Sequence, residues 1–423
     1  MKRFRLSPFS SNQINTAQLH RDVVYFFQNG LWTLAGQIAV SVAALVMTVA
    51  ISRALSPVDY GIYRYVMTLI PVFLLATLPN MGNAVTVAIA QQKEVNISGA
   101  LRAKIRWGFL ATGVGILMAL YYYFTQQPLL AITIGFAALC IPFFDTFSLY
   151  KFILQGKHDF KTAAIYQSLN RIIAATCVVV VIFFTRNVVV LIATILLSQI
   201  VSQWYFWHKT TTHIPKSISN IDVTSYGKHL SILGILTTIG AQIDKLLVWF
   251  LFGPVSLAVY SIILAIPLEG TRLLESLAAI VLPRFSTIQW DNHEKRLFVV
   301  KRILLISLPM FLGAGLYILL AERLFSILFP AYLSHVFLSQ LASLVIITVP
   351  LGDLAAQAFI AWGKIKTLIW VACIEIVILL VGMFFAAQLT SLPFALFTLI
   401  TKELFVFLAL ILALALPPRT SHT

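Results

Sequence analysis

Eleven ionisable residues sit inside stretches of this sequence that otherwise read as hydrocarbon. Four are basic, Arg171, Lys245, Arg272 and Lys402. Seven are acidic, Asp145, Asp244, Glu269, Glu275, Asp353, Glu375 and Glu403. Facing lipid at the centre of a membrane helix, each would cost about 2.5–3.5 kcal/mol. Together they would cost on the order of 30 kcal/mol, more than the net stability of a typical folded domain. They must therefore face protein or a wet cavity. Three kinds of chemistry are open to them: holding a charged cargo, carrying a coupling ion, or pairing with one another. Metal and nucleotide chemistry have no comparable signal. The eight histidines are scattered without ligand spacing, and no GxxxxGK[ST] loop is present. No cofactor is expected.

Spacing sorts these residues. Ser231, Gly234, Thr238, Gln242 and Lys245 recur at intervals of three and four, which places them within an arc of about 80° on one helix. Ser261, Ala265, Glu269, Arg272 and Ser276 do the same on the next helix. Both stripes predict a cavity wall, with close helix packing as the plainer reading of their small residues. Glu269 and Glu275 flank Arg272 at three residues on either side, so neutralisation within the helix is the alternative to cargo contact. Arg171 follows Gln167 and Asn170 and is expected to face inward. Asp244 lies 100° round from Lys245 and is expected to meet a neighbouring helix.

The segments that carry these residues are membrane spans. The chain is 60% hydrophobic and 11% charged, with mean hydropathy +0.92, and a span needs about 20 apolar residues. Twelve candidates result: 31–52, 65–88, 105–124, 129–150, 164–184, 187–207, 229–252, 256–282, 299–320, 337–360, 367–387 and 392–415. With the N-terminus inside, 22 of the 30 Lys and Arg fall on the cytoplasmic side and four in outward loops. This bias predicts both termini in the cytoplasm. The net charge of +15 is mainly that topology signal, with attraction of anionic lipid headgroups as an addition. Because the basic residues are dispersed, nucleic acid is not an expected partner.

The chain is also written twice. "IPFFD" (Ile141 to Asp145) and "VPLGD" (Val349 to Asp353) are each followed by a Gly-Lys pair, and "SPVDYGIYR" from Ser56 is echoed by "GPVSLAVYS" from Gly253. The expected organisation is a cytoplasmic segment 1–30 followed by two six-helix lobes, 31–212 and 213–423, in parallel orientation. In "IPFFD" and "VPLGD" the proline frees a carbonyl and suits the first turn of a restarted helix, where an acid complements exposed N–H groups.

"LSPVDYGIYRYVMTLIPVFLLATLPNMGNAV" resembles the opening of bacterial polysaccharide exporters of the O-antigen flippase type, in the superfamily of multidrug/toxin extruders and lipid II flippases. "IGAQIDKLLVWFLFGPVSLAVYSIILAIPLEGTRLLESLAAIVLPRFS" is similar to that family's seventh and eighth helices, and "LQGKHDFK" and "ILFPAYLSHV" also fit. The usual Gly before Tyr260 is replaced by Ala258-Val259. The resemblance implies an all-α, MATE-like protein of twelve transmembrane helices that is not an enzyme. It implies a cargo of oligosaccharide on a polyprenyl diphosphate carrier, with partners in the polymerase and glycosyltransferases of the same pathway. Cationic cavity residues would hold the diphosphate, and here that role falls to Arg53, Arg64, Arg171, Lys245 and Arg272.

The embedded residues carry more acid than base, so carboxylates are expected to couple transport to H⁺ or Na⁺. The candidates are Asp145, Asp244, Glu269 and Asp353. The same carboxylates support a second reading, an ion-coupled antiporter of cationic drugs. A membrane glycosyltransferase would need catalytic groups on sizeable outward loops, and the predicted ones are short.

Overall fold

The computed structural model describes residues 16–78, 80–91, 96–212, 223–281, 293–361 and 365–415, and every regular element among them is a helix. Eleven helical stretches are long and apolar enough to cross a membrane. One of them, within α9 (Val223–Ile263), contains Gly253 at φ +79°, ψ −174°. A left-handed residue cannot continue a helix, so α9 is two helices, the end of span 7 and the start of span 8. Span 8 continues in α10 (Ala265–Val281). The structure thus holds twelve spans in two six-helix lobes.

The first lobe comprises α1 (Thr16–Ala54), α2 (Pro57–Leu74), a short α3 (Met81–Ala90), α4 (Ile97–Phe124), α5 (Pro128–Phe144), α6 (Leu149–Gly156), α7 (Phe160–Ile182) and α8 (Val188–Thr211). Beyond α9 and α10 the second lobe comprises α11 (His293–Leu328), α12 (Val336–Ala342), α13 (Val345–Ala361), α14 (Ile365–Gln388) and α15 (Leu392–Ala415). Neighbours recur between the halves: α1 packs on α7 as α9 does on α14, α7 on α8 as α14 on α15, and α5 on α8 as α13 on α15. The predicted junction at 212–213 adjoins residues 213–222, which lie outside the described residues.

Local chemistry sets the helix starts. Ser56 caps α2 by accepting from the Asp59 N–H at 3.1 Å, and Pro57 occupies the first turn. Asn96, Asp159 and Asn187 cap α4, α7 and α8 in the same way. These caps correct the predicted boundaries. Span 2 begins at Pro57, not at 65, because a capped helix tolerates Asp59 and Arg64 in its outer turns. Arg64, expected in an outward loop, is therefore inside α2. Lys104, Lys151 and Arg323, all expected in loops, are inside α4, α6 and α11.

The two proline motifs differ in their outcome. Pro142 lies within α5, and Asp145 caps its C-terminal end. Residues 145–148 form turns before α6 begins. The Thr146 hydroxyl donates to the Pro142 carbonyl at 2.5 Å, and the Ser148 hydroxyl to that of Asp145 at 2.6 Å. Helix α13 instead runs unbroken through Pro350 and Asp353, and span 10 is interrupted earlier, at 343–344. Neither Asp occupies the first turn of a restarted helix.

Bulky apolar side chains coat the outside. Phe183 and Phe184 are 83% and 84% exposed, and Leu319 and Trp370 are similarly bare. In a bilayer this surface faces lipid. The lobes meet along α2 and α9 and along α1 and α10. Tyr65 stacks on Trp249 across that seam, with centroids 4.1 Å apart and an interplanar angle of 9°. At Gly61 the backbones touch, since an added Cβ would lie 2.0 Å from the Pro254 carbonyl oxygen.

Gly61→Ala should therefore force α2 away from α9 at a cost of about 1–3 kcal/mol and lower the melting temperature of the detergent-purified protein. Gly113→Ala, whose Cβ would meet open space, is the control and should leave it unchanged. Equal melting of the two variants would refute the backbone contact.

Candidate functional site

A cavity of about 360 Å³ opens in the first lobe. Asp145, Ser148 and Lys151 reach it from the break in span 4, Gln167, Asn170 and Arg171 from α7, and Gln199 and Gln203 from α8. The break is what brings Asp145 and Lys151 to one wall. Asp145 is held from behind by an ion pair with Lys104, which is fully buried, and the Thr77 hydroxyl lies 3.1 Å from its Oδ2. With Asp145 compensated, Lys151 and Arg171 leave the cavity with an excess of two positive charges.

Arg171 on α7 is electrostatically coupled to Tyr63 on α2 and to Arg272 and Glu269 on α10. Arg272 pairs with Glu269, as the i, i+3 spacing predicts, while its own side chain stays half exposed. The buried Arg64 Nε and Glu269 Oε2 have no hydrogen-bond partner.

The second lobe has the opposite balance. Lys402 pairs with Glu375 at 2.8 Å and with Glu403 at 3.2 Å, and its ammonium is 3.5 Å from the Gly240 carbonyl. Lys245 pairs with Asp244 at 3.1 Å and donates to the Ala241 carbonyl. Asp244 is buried and accepts from the Tyr260 hydroxyl at 3.0 Å, so it does meet a neighbouring helix. Glu275 and Glu375 lie within electrostatic reach of Asp353. Five carboxylates here face two lysines.

Of the five predicted cargo cations, Arg171 lines the cavity and is coupled to Arg272, and Arg64 lies on α2 beside Tyr63. Lys245 is engaged by its neighbour Asp244. Arg53 donates to the Leu328 carbonyl at 3.2 Å and also to that of Ile327, closing the C-terminal end of α11 from the other lobe. Of the four coupling candidates, Asp145, Asp244 and Glu269 are in ion pairs. Asp353 has neither an ion pair nor a hydrogen bond among the described residues. In the predicted stripes, Ser231, Gly234 and Ser276 have side chains outside the described set. The sequence reading missed Lys104 and Lys151, which it assigned to loops, and Gln199 and Gln203. The spacing Gln199, Ser202, Gln203 is an inward polar stripe that periodicity alone would have found.

Residues 26–289, more than half of the chain, match the family described as "Polysaccharide biosynthesis protein". No curated protein matches the sequence. Solved transporters share the fold. An inward-facing multidrug resistance MATE family transporter of the MOP superfamily is 13% identical over 93% of this chain and 99% of its own, with TM-score 0.58. A MATE in complex with MaD5 is 15% identical over 92% and 96%, with TM-score 0.60. A MOP superfamily transporter from Pyrococcus furiosus Vc1, reported with reverse polarity of its binding pocket, is 12% identical over 92% and 94%, with TM-score 0.55.

Removing one member of a buried ion pair leaves the other uncompensated, at about 3–5 kcal/mol. Lys104→Met should therefore lower the melting temperature and the protein yield sharply, and Lys104→Met/Asp145→Leu should restore both. A double variant as unstable as the single one would show that the pair does not hold this wall together.

Proposed function

We propose, from a chain that belongs to the polysaccharide biosynthesis protein family, that it flips a polyprenyl-diphosphate-linked oligosaccharide across the membrane. The move is from the inner to the outer leaflet of the cytoplasmic membrane, with both termini in the cytoplasm, and it serves cell-surface polysaccharide such as O-antigen. The observation that carries this reading is the cavity of the first lobe lined by Lys151 and Arg171. A diphosphate is a compact dianion or more, and guanidinium groups bind such oxygens through charge-assisted, bidentate hydrogen bonds. The unpartnered Arg64 Nε supplies one such donor. The polyprenyl tail stays in lipid while diphosphate and sugar cross between the lobes, and rocking of the lobes gives alternating access. A polymerase and glycosyltransferases of the same pathway would consume and supply the cargo.

The carboxylates of the second lobe support ion coupling. Asp353 is the coupling candidate left without an ion pair among the described residues, and Glu275 and Glu375 stand near it. A group free of a lysine or arginine partner is the one able to exchange H⁺ or Na⁺ during a cycle. The alternative cargo, a cationic drug, is disfavoured because the cavity of the first lobe presents cations to whatever enters it.

Depletion of the protein should trap lipid-linked sugar in the inner leaflet, and unchanged outer-leaflet exposure would sink the proposal. Arg171→Ala and Arg272→Ala should each cut export by about tenfold or more, as expected for the loss of one charge-assisted contact, with protein levels unchanged. Normal export by the double variant would remove these residues from the cargo site. Asp353→Asn should abolish the dependence of transport in proteoliposomes on an imposed H⁺ or Na⁺ gradient. A gradient response equal to wild type would move coupling elsewhere.

A further inference from the structure

We infer that the cavity of the first lobe is a subsite for a negatively charged sugar unit of the cargo, distinct in chemistry from a phosphate site. The inference rests on the proposed flippase reading and names the substrate class that this cavity selects. Its basis is the pair of amides on α8. Gln199 and Gln203 are only 5% and 6% exposed, they line the cavity, and Gln199 Nε2 and Gln203 Oε1 have no hydrogen-bond partner. A buried polar atom without a partner is costly unless a ligand supplies one.

The missing partners identify the ligand. Gln199 offers its amino donor and Gln203 its carbonyl acceptor, so this pair asks for a group that both accepts and donates. Phosphate and carboxylate oxygens only accept and cannot satisfy both. A sugar hydroxyl or acetamido group does. Asn170 and Gln167 on α7 add further amides to the same cavity, and the Ser202 hydroxyl already donates to Asn170 Oδ1, which leaves the Asn170 amino end for a ligand.

Charge adds the second requirement. Lys151 and Arg171 line the cavity, and its one carboxylate, Asp145, is compensated by Lys104. A neutral sugar would leave Lys151 and Arg171 without an anion in the cavity, whereas a uronate carboxylate answers one of them. The volume of about 360 Å³ lies at the small end of ligand pockets, which suits a single monosaccharide unit rather than a whole repeat. Arg171 lines this cavity and is coupled to Arg272 on α10, so the linked diphosphate would sit on the Arg272 side of a sugar seated here.

The test is saturation-transfer NMR on the full-length protein in lipid nanodiscs, with glucuronate, glucose and pyrophosphate as probes. Glucuronate should bind more tightly than glucose. Gln199→Leu/Gln203→Leu should weaken glucuronate by about tenfold or more, the scale of losing two hydrogen bonds, and leave pyrophosphate unchanged. This variant removes unpartnered polar atoms and should melt no lower than wild type. Gln203→Glu should weaken glucuronate and spare glucose. Wild-type glucuronate binding in both glutamine variants would overturn the subsite, since the cavity would then hold only water. Competition between pyrophosphate and glucuronate, with both lost in the leucine variant, would overturn it in favour of a phosphate site. Glucuronate binding that needs the glutamines, beside pyrophosphate binding that ignores Arg171→Ala and Arg272→Ala, would keep the subsite and reject the lipid-diphosphate reading.

Discussion

A charge cannot rest unanswered in hydrocarbon, and the interior of this protein is arranged around that constraint. Lys104 is fully buried and has Asp145 as its partner, which fixes α4 against the end of α5. Lys402 joins α15 to Glu375 on α14. Asp244 takes a proton donor from Tyr260 across the turn at Gly253. Such pairs add little net stability compared with apolar packing, because desolvation offsets the Coulomb gain. What they do fix is position, since a helix that slides leaves an ion stranded. Paired charge therefore sets helix register here, and the remaining charge is free for cargo and ions.

The remainder is distributed unequally over two lobes with the same frame. The halves repeat their helix contacts, yet the first lobe ends with excess cation around its cavity and the second with excess carboxylate around Asp353. A cavity rich in cation favours an anionic cargo, and a cluster rich in carboxylate favours a cation. The sequence count of embedded charges misses this, because Lys104 and Lys151, which tip the first lobe positive, were assigned to loops. Segregation lets one protein hold two ions of opposite sign without either neutralising the other's site.

The twelve spans and the duplication were legible in the sequence because each rests on long-range hydropathy or a repeated pattern. Arg64, Lys104 and Lys151 were not. Each lies near a span end, where hydropathy places the boundary at the first charge, whereas the real boundary is set by a cap such as Ser56 or by a partner such as Asp145. A pairing between α4 and α5 is a tertiary fact, invisible to a window that slides along one segment. The proline motifs show the same limit. "IPFFD" and "VPLGD" have the same spacing, yet the turn forms at Asp145 and not at Asp353. Thr146 and Ser148 are present to take the freed carbonyls in the first copy, and Leu354 and Ala356 stand at the matching places in the second. Arg53 was read as an outward-loop cation and a cargo candidate, but it bonds the C-terminal carbonyls of α11, 275 residues away, which no local pattern anticipates.

The seam combines tight contact with incomplete chemistry. Gly61 against Pro254 and Tyr65 against Trp249 need no particular polar partner, so the lobes can meet closely without a network that fixes one angle between them. At the same seam Arg64 Nε on the first lobe and Glu269 Oε2 on the second are buried and unpartnered. Neither lobe completes these groups alone. A molecule that answers both makes hydrogen bonds whose geometry depends on how the lobes are set, and so has a different affinity for each arrangement. By linkage, differential affinity is the only means by which a bound molecule shifts such an equilibrium. The unfinished hydrogen bonding at the seam, more than the charges buried in ion pairs, is therefore where a bound molecule would act on any movement of the lobes.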